Sequence, residues 1–324
     1  MHSTNRVTIV MYHYVRDLVN SRFPEINGLD IQQFKEQIIF FSKNYNFISI
    51  KDLIECYQGE RILPQKPILL TFDDNIIDHY LNVFPLLNEM NIQGAFYPSV
   101  NTEETLLDVH KIHFILAAAR DKKMIIKIIF SYLDQYRSEF QLKPNDFYYN
   151  KYAKANREDD GDVVFIKRLL QLGLMRSLRT IIADNLFAEI VGIDQKVFTR
   201  ELYMNKDHLK CMARNNMHIG IHGYDHVWLD SLKIDEQQAE LDRSLEFLKS
   251  LGIDINRWTI AYPYGAFNED TLKVLKQNGC SLAFTTVVDV ADFNLFSCYE
   301  LPRLDTNDLP KSQNASVNKW YSKS

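Results

Sequence analysis

Four residues in two places have the types and spacing from which a metal-assisted hydrolytic site can be built: Asp73-Asp74 and the pair His222 and His226. The two acids end the run Ile68-Leu69-Leu70-Thr71-Phe72. Adjacent carboxylates repel each other unless positive charge is supplied, and a metal ion is the simplest source. The other reading of this stretch is a solvated turn in which Asp74 or Asn75 caps the helix that follows. His222 and His226 lie four apart in His222-Gly223-Tyr224-Asp225-His226. Their imidazoles point the same way on a helix and can also converge in a tight turn. Such nitrogens suit zinc and similar divalent ions, a carboxylate often completes the set, and a three-ligand site leaves a position open for water. His13 follows the apolar run Val7 to Tyr12 and so stands where a strand ends, either on the rim that carries Asp73 or as a core histidine bonded to backbone.

The elements that must position these residues alternate. A continuous apolar run entering an acidic stop reads as a strand buried on both faces, as in a parallel sheet, where chemistry gathers at strand C-terminal ends. Strands are expected over Val7–Tyr12, Phe47–Ile50, Ile68–Phe72, Gly94–Tyr97, Met217–Ile221, Trp258–Tyr262 and Leu282–Thr286, seven in all and most followed by a helix. Asp30 and Asn268 are placed to cap helices, and Pro85 should kink or divide a helix over Ile76–Met90. Residues 101–216 differ in character. Their apolar residues recur at helical spacing, as in Ile125, Ile129 and Leu133, which predicts a mostly helical insertion. The charged run Arg157-Glu158-Asp159-Asp160-Gly161-Asp162 reads as a solvated turn. Leu301 to Asp308 reads as a polar turn, and the tail 311–324 as frayed.

Composition narrows the function. The 324 residues, 46% hydrophobic and 24% charged, are enough to bury a large core, and the net charge of −5 leaves no footprint for nucleic acid. No apolar run approaches a membrane span, and Met1 to Arg6 lacks the apolar core of a signal peptide. The four cysteines, Cys56, Cys211, Cys280 and Cys298, show no paired spacing. A reduced, cytoplasmic protein is expected.

The ordered set of Thr71-Phe72-Asp73-Asp74, the two histidines after a strand, and a strand ending in Pro263-Tyr264-Gly265 resembles the polysaccharide deacetylase superfamily with the NodB homology domain, that is, carbohydrate esterases of the family 4 type. The opening Met11-Tyr12-His13-Tyr14-Val15 resembles one branch of it. The resemblance implies a distorted (β/α)7 barrel, one domain over 1–324 carrying the helical insertion. It implies a metal-dependent N-deacetylase acting on an N-acetylated sugar or glycan, with a divalent cation, zinc first, held by Asp74, His222 and His226. Asp73 then matches the general base, and Tyr264 the residue whose backbone N–H helps bind the oxyanion.

The chain departs from the family pattern in three places. Gly223 replaces the Ser or Thr that usually follows the first histidine and helps position the ligand loop. Ala261 and Tyr262 stand where an arginine pairing with the base is often found. Arg303 is the expected replacement, oriented by Asp305; a surface ion pair is the other reading of those two residues. No histidine follows His226, so the family's usual proton donor is missing, and His13 is the candidate for that role unless the base returns its own proton. Two further functions compete with the sugar deacetylase: hydrolysis of a non-sugar, cyclic amide, and sugar binding without catalysis.

Overall fold

In a computed structural model of the chain, which describes residues 5–102, 105–157 and 159–324, the strands assemble mainly in parallel. The readings that involve residues 1–4 and Glu158 lie outside these residues. The strands are β1 (Arg6–Tyr12), β2 (Val15–Arg16), β3 (Leu29–Asp30), β4 (Asn46–Phe47), β5 (Pro67–Asp73), β6 (Gly94–Tyr97), β7 (His218–Ile219), β8 (Thr259–Ala261), β9 (Leu282–Phe284), β10 (Ala291–Asp292) and β11 (Leu304–Asp305).

Pairing closes a ring. β1 lies beside β5, β5 beside β6, and β6 beside β7, all parallel. Beyond β7, Ile221 bridges Ile260 of β8, β8 pairs with β9, and Phe284 of β9 bridges Leu301. The chain then enters β11, which returns to β1 with Leu304 opposite Val10. This is a distorted seven-membered parallel barrel in which several staves hold only two or three residues.

One stave differs from the sequence reading. Of the expected strand Phe47–Ile50 only Phe47 lies in β4, beside the start of β5, because Ser49 and Asp52 form a capping box that starts a helix at Ile50. The seventh stave is instead the 301–305 stretch, read from sequence as a polar turn. Arg303 faces inward to other polar groups, and Pro302 and Asp305 interrupt the run, so the stretch carries no continuous apolar strand signal.

Side chains alternate across the barrel wall. Val10, Tyr12, Leu70, Phe72, Phe96 and Ile260 pack outward with helix residues such as Phe34, Leu87, Leu241 and Leu275. Ile9, Leu69, Tyr97, Ala261, Phe284 and Leu301 form the inner cluster. The period of two that sends Leu69 inward sends Thr71 and Asp73 inward as well, and Leu301 carries Arg303 with it. Every residue of β5 is buried, as its unbroken apolar run requires.

The chain divides into two compact units. One comprises Met1–Asp17, Gly28–Glu103 and Arg200–Ser324, the other Leu18–Asn27 and Glu104–Thr199. The second unit's secondary structure is helical among the described residues, including Asp108–Ala118, Lys122–Tyr136 and Arg176–Leu186. Its core gathers Phe23, Phe114, Phe187 and Phe198 in edge-to-face contacts. Residues 200–216, assigned from periodicity to the insertion, fall in the barrel unit, and the short segment 18–27 joins the helical one. The tail is packed rather than frayed: Lys319–Lys323 is helical, Tyr321 meets Tyr45 edge-on at 5.3 Å, and Lys66 Nζ donates to the carbonyls of Tyr321 and Ser324.

Candidate active site

Asp73 ends β5 facing the barrel interior, and Arg303 reaches it from the seventh stave. The pair is bidentate, with Nη1 to Oδ1 at 2.9 Å and Nη2 to Oδ2 at 2.7 Å, and both side chains are 1% exposed. Nη1 also donates to Thr71 Oγ1 and Nε to the Thr285 carbonyl. Burial pushes the Asp73 carboxyl up. The Arg303 guanidinium, with His222 nearby, outweighs it and holds the group below the ordinary carboxylate range. Asp305 does not orient Arg303 as expected. Its carboxylate accepts from the N–H and side chain of Asn307 and caps the short turn that follows. The guanidinium is aligned by Thr71 and the Thr285 carbonyl instead.

Asp74 turns away from the strand in a left-handed conformation, with φ 83°. This step lets two adjacent acids serve different partners. Asp74 Oδ1 lies 3.4 Å from His222 Nε2 and 3.2 Å from His226 Nε2. One donor atom from each of the three residues lies within 4.8 Å of the others, and all three residues are buried. His222 Nδ1 is 2.6 Å from the Ala261 carbonyl. A carbonyl only accepts, so Nδ1 carries the proton and Nε2 presents its lone pair to the cluster, as a metal-binding histidine requires. Burial pushes the His222 imidazole down, but the Asp73 and Asp74 carboxylates push it up and prevail. The pocket therefore favours positive charge, and two imidazoles with one carboxylate are a donor set for a divalent cation. The alternative in which Asp74 or Asn75 caps a helix does not hold. Asn75 also has positive φ, and its amide donates to Thr102 and to the Met204 carbonyl.

The loop carrying the histidines is neither a helix nor supported by a residue at position 223. Gly223 has φ 70°, a conformation that a side chain makes costly. Support comes from Glu240, whose Oε2 accepts the N–H groups of Tyr224 and Asp225 at 3.0 Å each. Asn101 adds a bond to the Asp225 carboxylate. Sequence reasoning missed Glu240. Its signal was an acid on the buried stripe of the Ile234–Ser250 helix, between Gln237 and Leu241 on one side and Ser244 on the other.

The remaining expected residues converge on the same rim. His13 Nε2 is 4.0 Å from Asp74 Oδ2, with its side chain 35% exposed. Tyr264 has φ 58° in the Pro-Tyr-Gly turn, and its ring lies edge-on to His226 at 4.6 Å. Trp228, not singled out from sequence, stacks on Tyr264 with centroids 4.6 Å apart.

Comparison with known proteins points to one family. Residues 192–283 match the polysaccharide deacetylase family model, a stretch that holds His222, His226 and Tyr264 but not Asp73 or Asp74. The chain is 30% identical over 84 residues to YxkH of Bacillus subtilis (strain 168), covering 26% of this chain and 30% of that one. It is 28% identical over 106 residues to the poly-β-1,6-N-acetyl-D-glucosamine N-deacetylase of Escherichia coli (strain K12), covering 32% and 15%. The chain thus matches less than a third of either relative's length. Among solved structures, the Streptococcus pyogenes deacetylase PplD, in complex with acetate, aligns with TM-score 0.57 at 16% identity over 97% of this chain and 96% of that one. IcaB from Ammonifex degensii aligns with TM-score 0.55 at 17% identity over 94% and 93%. These two likenesses concern the fold.

Proposed function

We propose, from the match to the polysaccharide deacetylase family model over residues 192–283, that this chain belongs to that superfamily and is a metal-dependent hydrolase that removes the acetyl group from an N-acetylated sugar or glycan. The observation that carries this reading is that two adjacent acids face different partners. Asp74 joins His222 and His226 within 4.8 Å, while Asp73 is locked in its ionised form by Arg303. The relative from Escherichia coli, named for poly-β-1,6-N-acetyl-D-glucosamine, supports an N-acetylglucosamine polymer as the first substrate to try.

Zinc is our choice of cation, since an imidazole pair plus one carboxylate with an open position matches its catalytic sites. When bound, it would supply Lewis acidity toward water and the acyl oxygen. The protein's own groups supply the rest. Asp73 keeps unshared electron pairs beyond its two bonds to Arg303 and takes a proton from the attacking water, a contribution of about 10²–10⁴-fold. The Tyr264 N–H, at the head of a strained turn, is assigned to the developing oxyanion. As the C–N bond breaks, its electron pair goes to nitrogen, and His13 delivers a proton there. The products are a free amine and acetate.

The test is acetate release from N-acetylglucosamine oligomers by zinc-replete protein, with chelated protein and Asp73→Asn as controls. Release that is lost in both controls supports the reading. Oligomer binding without any acetate, in protein shown to hold its zinc, would make the chain a sugar-binding homologue. We also propose a cytoplasmic location, supported by four free cysteines; fractionation that finds the protein outside the cytoplasm would reject it.

A further inference from the structure

The turn that carries His13 is gripped by side chains that come shortly after Asp73 and Asp74. Asp78 Oδ2 accepts the Val15 N–H at 3.1 Å and Arg16 Nε at 2.7 Å, and its Oδ1 accepts Arg16 Nη2 at 2.8 Å. Asn82 Nδ2 donates to the Val15 carbonyl at 2.8 Å. His79 Nε2 lies 2.8 Å from the carbonyl of His13 itself. A carbonyl can only accept, so Nε2 carries the proton. Burial pushes the His79 imidazole down to about 4, which keeps it neutral with a single N–H. Its Nδ1 is then buried with no hydrogen-bond partner among the described residues, which is unfavourable. The ring sits among Phe72 and Phe96, at 5.5 and 5.8 Å between centroids. A phenyl group would pack there without that cost. What the imidazole adds is the bond to the His13 carbonyl.

The three grips lie on one side of the helix, as positions i, i+1 and i+4 do, and the helix opens with a wide turn. The Phe84 N–H bonds to the His79 carbonyl, an i→i+5 closure, over His79–Val83. Pro85 follows directly. It has no N–H, and its ring crowds the preceding carbonyls, so regular α bonding cannot run through this point.

We propose that Asp78, His79 and Asn82 are positioning residues for His13. His79 binds the His13 carbonyl, and Asp78 and Asn82 bind Val15 and Arg16 just after it, to the segment that carries Asp73 and Asp74, so that proton donor and proton acceptor keep one geometry. This rests on His13 as the proton donor. Proton transfer needs heavy atoms about 2.6–3.2 Å apart, and a misplacement of about 1 Å can cost 10²-fold. A half-buried histidine on a turn does not hold such a position without ties.

The experiment compares an amide with an ester whose leaving group needs no proton. Acetate release from N-acetylglucosamine oligomers and hydrolysis of 4-nitrophenyl acetate are measured on zinc-loaded protein for His79→Phe, His79→Gln, Asn82→Ala and His13→Ala. For His79→Phe, amide kcat should fall about tenfold or more, with KM little changed and ester turnover reduced far less. The Gln variant, whose amide can donate to the same carbonyl, should recover most of the loss. Asn82→Ala should show a smaller loss of the same kind. Zinc content and thermal melting of each variant check that the fold and the cation are retained. Equal losses on amide and ester, or no loss on the amide, overturn the proposal while the His13→Ala split stands. If His13→Ala itself shows no amide-to-ester split, the donor assignment fails and the clamp falls with it.

Discussion

Two buried cations show how differently the barrel and the helical unit use charge. Lys111 of the helical unit is 4% exposed, and its ammonium meets Asp108 at 2.9 Å and Asp184 at 2.6 Å. Those carboxylates are 31% and 43% exposed, and they also accept from Thr180 and Gln195. The charge there is buried at one end and wet at the other. Arg303 and Asp73 of the barrel are both 1% exposed. Taking both members of a pair out of water costs several kcal/mol per ion before they attract one another, so such a pair is weak evidence for stability. A carboxylate held ionised in a buried, cation-favouring pocket is instead what the general-base role proposed for Asp73 requires. The helical unit's ion pair links two helices, whereas the barrel's pair holds in its ionised form the carboxylate proposed as the base.

Breaking the barrel pair should have the largest effect. Arg303→Met strands a buried carboxylate and should destabilise the protein by about 3–5 kcal/mol in urea unfolding, with loss of acetate release. Adding Asp73→Asn should restore most of the stability and none of the activity. A loss below about 1 kcal/mol for Arg303→Met would make the two regions alike. Acid should come next and should act through the barrel's dry interior. His79 and His218 are fully buried, and burial pushes each down to about 4. As pH falls below the ordinary histidine value of about 6.5, the unfolded chain takes up these protons before the folded one does. Stability is therefore complete above that value and is lost as pH falls toward 4, by roughly 3 kcal/mol for each histidine. Unfolding midpoints across this range should fall less steeply in His218→Gln than in the wild type; parallel curves would contradict this.

Smaller effects sharpen the contrast. Glu240→Ala removes the acceptor for the Tyr224 and Asp225 N–H groups. It should weaken zinc binding by about 10–100-fold in calorimetric titration and cost about 1–3 kcal/mol in stability. Unchanged zinc affinity would mean that the loop holds its own shape. The smallest effect is expected for Lys111→Met. Its partners can return to water, so the loss should stay within about 1 kcal/mol, with acetate release unaffected. A loss as large as that of Arg303→Met would remove the distinction between the two regions.

Much of the site was legible wherever the information was local. An apolar run into paired acids placed Asp73 and Asp74 at a strand end, and the same reasoning put His13 at another. Arg303 could be named as a partner for Asp73, but the residues that align it could not. Asp305 is near in sequence yet caps its own turn, whereas Thr71 and the Thr285 carbonyl arrive from other staves. Glu240 was hidden for the same reason, since its role depends on the backbone of a loop 15 residues away.

What the chain order determined by itself is the alternation of strand and helix, the burial of β5 on both faces, and a departure from regular α bonding just before Pro85. Those follow from backbone geometry and side-chain period, which act over a few residues. Only tertiary structure decided that the polar 301–305 stretch closes the ring, that Asp74 turns out of line with Asp73, and that Asp78, His79 and Asn82 hold the His13 turn. Each of these depends on which strand ends become neighbours when the barrel closes, and closure depends on the packing of the whole unit rather than on any one segment.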